Sequence, residues 1–251
     1  MRRHFKGSAV TIAILLSTLQ GAAPGAADEP VNPSARTRYP LALAAQPLSL
    51  PAHVVEIASP RVGNFTGAGP APTNFYVHLR WGLTDRIEIR EIGIFATLVR
   101  GARGPSIGAG AALDPFGFYL NGGFAVTPDL FLELAQRLGA RFALRLRERA
   151  GASFTHLGGP VEVALHSALG ADLYYDVTDR STFIAQLEYD YRQPVGGGDA
   201  IHVVAPGVGI ALALAPWLQL RALGGPAWAR TPDAGTTPTS AWFALQLLAR
   251  F

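Results

Sequence analysis

The chain of 251 residues contains no cysteine, and Lys6 is its only lysine. Without cysteine, disulfide cross-links, thiol catalysis and thiolate metal sites are excluded. The fold must therefore rest on its own packing or on hydrogen-bonded closure. Charge is scarce too, at 16% of residues against 49% hydrophobic. Yet no uncharged apolar run after residue 30 reaches the about 20 residues that a spanning helix requires. Gly207-Val208-Gly209 lacks the third glycine and following helix of a dinucleotide loop. An apolar chain with no spanning helix has one regular way into a bilayer, a sheet closed on itself.

The first residues predict export. Arg2, Arg3 and Lys6 precede the apolar run Ala9–Leu16, and small residues follow to Ala27. A basic stretch, a short apolar core and a small-residue cut site define a signal peptide, read here as 1–27; the alternative is an uncleaved anchor. Removing it takes three of the 21 basic residues and none of the 18 acidic ones, so the remainder has zero formal net charge. The precursor's basicity is thus no argument for nucleic acid. Residues 28–49, rich in Pro and Ala without a sustained period, read as a loose periplasmic extension. The domain proper is expected over 50–251.

From His53 onward the apolar residues alternate. In 130–149 the even positions run Leu130, Leu132, Leu134, Leu138, Phe142, Leu144 and Leu146; the odd ones include Glu133, Arg137, Arg141, Arg145, Arg147 and Arg149. Period two sends one set to each face of a strand, one apolar and one rich in arginine. Read as one strand, this is far longer than the usual 5–6 residues. The same period recurs in 75–81, 116–124, 161–175, 183–192 and 201–214. Over 86–98 it starts with Ile87 and Ile89 against Glu88 and Arg90, then slips at Glu91-Ile92, which suggests a bulge.

Short connections are expected at 82–85, 126–129, 177–180 and 214–217. Longer Gly/Pro-rich ones fall at 59–72, 99–106, 150–159, 193–200 and 227–238. Short turns at one end and long loops at the other characterise transmembrane barrels, with the short turns periplasmic. The pattern predicts an all-β, antiparallel, up-and-down transmembrane barrel of about ten strands, with eight to twelve allowed by the ambiguous 107–115 stretch. Trp81, Tyr175, Trp217 and Phe251 sit near the short-turn end, as an interfacial girdle would.

In the final segment Ala241, Phe243, Leu245, Leu247, Ala249 and Phe251 form one apolar face. This resembles the C-terminal signature of bacterial outer-membrane barrels, in which a terminal aromatic closes an alternating strand. The resemblance implies an outer-membrane location and recognition of Phe251 by the barrel-assembly machinery. A secreted sandwich would leave this edge open to pairing, which disfavours it. Phe251 should end a strand that pairs with the one near 53–58. A narrower likeness, carried by Pro47–Pro51, Val54–Ile57 and Arg80–Ile89, is similar to small transporter barrels of the phenol-degradation meta-pathway type. It covers about a fifth of the chain, and implies solute passage without naming a solute.

If polar faces point inward, Arg137, Arg141, Arg145, Glu162, Asp172, Glu188 and Asp190 line the lumen. They read either as cross-strand ion pairs or as an anion-attracting ladder. Arg145, Arg147 and Arg149 are placed towards the outer rim, where they could meet lipopolysaccharide. No catalytic site is read: adjacent His166 and Ser167 face opposite sides of a strand, and neither G-x-S-x-G nor H-E-x-x-H occurs. The histidines show no metal-ligand spacing, and no cofactor is expected. The expected role is an outer-membrane barrel that passes or binds small solutes. The alternatives are a non-conducting structural or adhesive barrel and, third, a soluble lipocalin-like binder.

Overall fold

The computed structural model describes residues 39–59, 62–65, 78–101, 104–114, 124–156, 160–230 and 239–251. The expected signal peptide and residues 28–38 lie outside these, as does most of the predicted 116–124 strand. The strands are β1 (Val55–Ala58), β2 (Val62–Phe65), β3 (His78–Gly82), β4 (Ile87–Arg90), β5 (Ile92–Val99), β6 (Ser106–Asp114) and β7 (Phe124–Arg137). There follow β8 (Phe142–His156), β9 (Glu162–Thr178), β10 (Ser181–Pro194), β11 (Ile201–Ala215), β12 (Leu218–Arg230) and β13 (Thr239–Arg250). Every pairing is antiparallel between neighbours in the sheet, and β13 returns to pair with both β1 and β2. Since β1 and β2 lie end to end along β13, the thirteen segments make a closed barrel of twelve staves.

Closure occurs where the C-terminal apolar row suggested. Glu56 faces Arg250 and Ile57 faces Ala249, while Phe251 and Val55 exchange two backbone hydrogen bonds of 2.9 and 3.0 Å. Each of these groups would otherwise sit on an open edge with an unpaired ladder.

Twelve staves stand at the top of the expected eight to twelve, and two local departures from the sequence reading put them there. The 130–149 run is not one strand: Leu138–Arg141 is a turn, and β7 starts before the connection expected at 126–129. The reversal pairs Arg137 with Ala143, residues of like parity, so the alternation continues unbroken through a change of direction. The slip at Glu91-Ile92 is not a bulge but a tight hairpin, in which Ile89 faces Ile94 and Glu88 faces Phe95. Glu91 takes a positive φ of 52° there, as the inner residues of such turns do. In consequence Arg100, Gly101, Gly104 and Pro105, expected within a long outer loop, lie at the same end as the short turns. The glycine-rich 107–115 stretch is mostly strand β6.

The outer surface is apolar. Leu130, Leu165, Leu187, Val208, Leu214 and Leu247 all stand exposed, the arrangement of a sheet whose solvent on that side is lipid. Glu56, Glu88, Asp129, Glu133, Asp172 and Asp176 are buried on the inner side. At the short-turn end, Trp81, Trp217 and Phe251 project outward, and Phe142 stacks on Tyr175 at 4.6 Å.

The described part of the expected loose extension, residues 39–49, packs inside the barrel together with residues 50–54. They enter the barrel at the short-turn end and cross its lumen, with one 3-10 turn over Leu43–Ala45. Leu43, Ala44, Leu48, Ser49 and Leu50 are buried, and Leu43 and Ala44 pack with Ala143, Tyr174, Ile184 and Ala211. The segment leaves beside Gly82, whose amide donates to Val54 O at 2.9 Å. A Cβ on Gly82 would lie 2.0 Å from Pro51 O, a contact with backbone that cannot rotate away. Gly82→Ala is expected to destabilise the barrel by about 1–3 kcal/mol through this overlap. Urea titration of the vesicle-inserted protein measures it, and an unchanged midpoint would contradict the close approach.

Candidate functional site

The lumen holds two layers of charge. The first clamps the segment 39–54. Short strands β3 and β4 place Arg80, Glu88 and Arg90 on the inner face by simple alternation, and β1 and β7 add Glu56 and Glu133. Arg80 donates to both carboxylate oxygens of Glu88 at 3.0 Å and to Glu56 at 3.1 Å. Arg90 bonds Glu88 and Glu133, and its guanidinium lies over the Phe95 ring at 3.7 Å. Arg250 donates to Glu56 at 2.7 Å. The remaining donor capacity of these arginines goes to the inserted segment: Arg80 and Arg90 each reach Leu48 O at 3.1 Å. In return Leu50 N donates to Glu88 at 2.6 Å.

Other walls complete the clamp. Arg145 donates to Gln46 O at 2.8 Å and Pro47 O at 3.3 Å. Ala44 N donates to Asp176 and Leu43 N to Thr182 Oγ1, both at 3.3 Å. Thr97 Oγ1 meets Ser49 Oγ at 3.0 Å. A segment with no sheet partners of its own thus satisfies its buried backbone groups on inward side chains, as buried amides and carbonyls must.

The second layer lies farther along β8, away from the short-turn end. Arg147 donates to Asp172 at 3.2 Å and approaches Glu188 at 3.6 Å, while Asp172 also accepts from Tyr174 at 3.0 Å. Asp190 pairs with Arg192 at 2.9 Å. A cavity of about 370 Å³ is bounded by His78, Arg147, Arg149, Glu188, Asp190 and Arg192 among others. His78 is itself bonded to Glu91. Nearby, His166 Nε2 lies 3.0 Å from Asp129.

The sequence candidates divide accordingly. Arg145 meets the inserted segment, and Asp172, Glu188 and Asp190 share the second layer. Glu162 is exposed at the start of β9. Arg137 and Arg141 are not in the lumen: both are exposed at the turn Leu138–Arg141, with guanidinium contacts to Ala140 O at 3.3 Å and Val177 O at 3.5 Å. The break in the 130–149 run moves them to the rim at the short-turn end. It likewise places Arg145 at the level of the inserted segment and Arg147 beyond it, not both at the outer rim. Arg80, Glu88, Arg90 and Glu133 were missing from the candidates, although alternation already assigned them to the polar face. Their importance comes from what fills the lumen beside them.

These features define the class. The chain is an all-β barrel of transmembrane type, with an apolar outer surface and a charged interior. Solved structures share this architecture. Against the COG4313 outer membrane channel from Pseudomonas putida F1, the TM-score is 0.54 at 13% identity, over 81% of this chain and 97% of that one. OmpT, an outer membrane protein of Vibrio cholerae, gives 0.46 at 12% identity over 70% of this chain. The chain spans 63% of that protein's length. An anion-selective porin from Comamonas acidovorans gives 0.36 at 16% identity, over 70% of this chain and 55% of the porin. At such identities a likeness is one of fold, and the first comparison carries it. No family model matches the chain and no curated protein matches it in sequence. The narrower likeness to meta-pathway barrels therefore rests on residues 47–90 alone.

Proposed function

We propose that the protein is exported, inserts in the bacterial outer membrane and passes small solutes through a lumen whose periplasmic end is closed by residues 39–54. The observation that carries this reading is the contrast between an apolar outer face and a polar interior that is filled at one end by a separable segment. A barrel whose only task was structural could fill its interior with wall side chains. Here Ala211, on the wall at β11, packs in one buried cluster with Leu43 and Ala44 of that segment. The test is electrical. The folded chain, shown by heat-modifiable gel migration and detergent dependence, is reconstituted in planar bilayers. Discrete conductance steps support passage; a silent but folded barrel would favour the adhesive alternative.

Assembly belongs to the same reading. Exposed at 68% of its surface and joined through its backbone to Val55, Phe251 is free to be read from outside while its strand closes the barrel. We infer that the assembly machinery engages this strand before β1 pairs with it. Deleting Phe251 is expected to lower the yield of heat-modifiable barrel in cells several-fold, and to leave refolding in detergent much less affected. Equal losses in both settings would indicate a purely structural role.

A further inference from the structure

We propose that the second layer contains a subsite for a small zwitterionic solute, bound across β9 between an arginine ridge on β8 and a carboxylate ridge on β10. The proposal rests on the solute-passing reading only in taking the lumen as the solute's route. Its geometry follows from register. Arg147 faces Gly170, and Gly170 faces Glu188. One step outward, Arg149 faces Ala168, and Ala168 faces Asp190. Two parallel rows therefore run cation, small residue, anion across three neighbouring staves. The flanking backbones are two strand spacings apart, about 10 Å, with only hydrogen or methyl side chains between them.

That makes a trough, floored by Gly170 and Ala168, with Arg147 and Arg149 on one bank and, on the other, Glu188 and Asp190, whose Oδ2 pairs with Arg192 of the same strand at 2.9 Å. The floor is small for a reason: a Cβ on Gly170 would already lie 3.3 Å from Arg147 Nε. The banks approach without fully neutralising each other. Arg147 and Glu188 stop at 3.6 Å, longer than a hydrogen bond between charged groups. Each bank also keeps unspent capacity, because Arg147 Nε and Asp190 Oδ1 are buried and make no hydrogen bond. Buried polar groups without partners are uncommon, and here one is a cationic donor and the other an anionic acceptor. The cavity over them, about 370 Å³, lies in the range of pockets that enclose small organic molecules.

Charge pattern selects the ligand class. A monoanion would be drawn to Arg147 and Arg149 but would face Glu188 and Asp190. A monocation meets the reverse. A neutral solute of equal size leaves Arg147 Nε and Asp190 Oδ1 without charged partners. A molecule carrying a carboxylate and an ammonium a few bonds apart satisfies both, its carboxylate toward β8 and its ammonium toward β10. Sites built to pair polar groups discriminate strongly against analogues that lack one.

Four probes of nearly equal size isolate this pattern: β-alanine, propionate, propylammonium and propanamide. Isothermal titration of the folded full chain in detergent is expected to show β-alanine binding at least roughly tenfold tighter than each of the others, one charge-assisted hydrogen bond being worth that much. Asp190→Asn should bring β-alanine down to the level of propionate, and Arg149→Gln should bring it down to that of propylammonium. Ala168→Leu, which fills the floor, should abolish binding of all four while the barrel stays heat-modifiable. Equal affinities for β-alanine and propionate, or for all four probes, would overturn the proposal. Potassium chloride conductance on the same preparation separates the two readings. Selective β-alanine binding in a non-conducting barrel removes passage and keeps the subsite; conductance without selectivity does the reverse.

Discussion

Deletion of residues 39–50 is expected to raise the single-channel conductance of the reconstituted barrel several-fold. Barrel width makes the segment decisive. Eight staves enclose only their own side chains, while sixteen leave an aqueous channel; twelve lie between, so a single strand of extra chain determines whether the short-turn end is open. The deletion removes Leu43, Ala44, Leu48 and Leu50 from the lumen. It leaves Glu88, Asp176, Arg80, Arg90 and Arg145 without their partners on the segment. Those groups are charged, and water entering the vacated space would solvate them, so the shell should survive the loss. The absence of native cysteine allows a complementary test. Ser49 Oγ and Thr97 Oγ1 are 3.0 Å apart, within easy adjustment of a disulfide. Oxidised S49C/T97C should lose the opening events of the parent, and reductant should restore them. Conductance unaffected by either change would mean that the segment does not close the pathway.

Arg80→Ala is expected to be the most damaging single substitution among the clamp residues, at about 3 kcal/mol, since removing one partner of a buried ion pair strands the other. Arg80 joins three groups: Glu88 through both oxygens, Glu56, and Leu48 O of the inserted segment. Glu88 is completely buried, and one guanidinium, that of Arg90, would then compensate it. Lys at position 80 should recover little, because an ammonium cannot reproduce the forked contacts. Combining Arg80→Ala with Glu88→Gln should recover part of the loss, since the stranded charge disappears with its partner; the double-mutant cycle measures that coupling. Urea unfolding in vesicles reads all three variants. Strictly additive losses would show that the pair is not the source of the effect.

The two predictions draw on information of different kinds. Inner and outer faces were legible from alternation, and they were read correctly through β8, β9, β10, β11 and β13. Parity even survived the misplacement of a turn, because the reversal pairs odd with odd, Arg137 with Ala143, and returns the chain on the same face. The location of that turn was less legible. Gly139 and Ala140 interrupt an alternation that continues on both sides, whereas Val126–Asp129 carries Thr, Pro and Asp, the usual turn chemistry. Its actual pairing, with Asp129 opposite Gly151 inside β7 and β8, is a non-local fact. The hairpin at Glu91-Ile92 was hidden similarly, since a one-step slip in phase reads equally as bulge or reversal.

Composition and period two by themselves determined a closed apolar-faced barrel, the side each strand presents to the interior, and the closure of Val55–Ala58 against the strand ending at Phe251. Tertiary structure alone decided the number of staves, the height of each arginine along the lumen and the presence of a segment inside it. The reason is physical. A strand's faces follow from local stereochemistry, one residue at a time, whereas residues 39–50 have no period and no charge to declare a partner. Their place is set by carbonyls and amides that meet Glu88, Arg90, Arg145 and Asp176, groups up to 132 positions away in the chain, which are brought together only when the barrel closes.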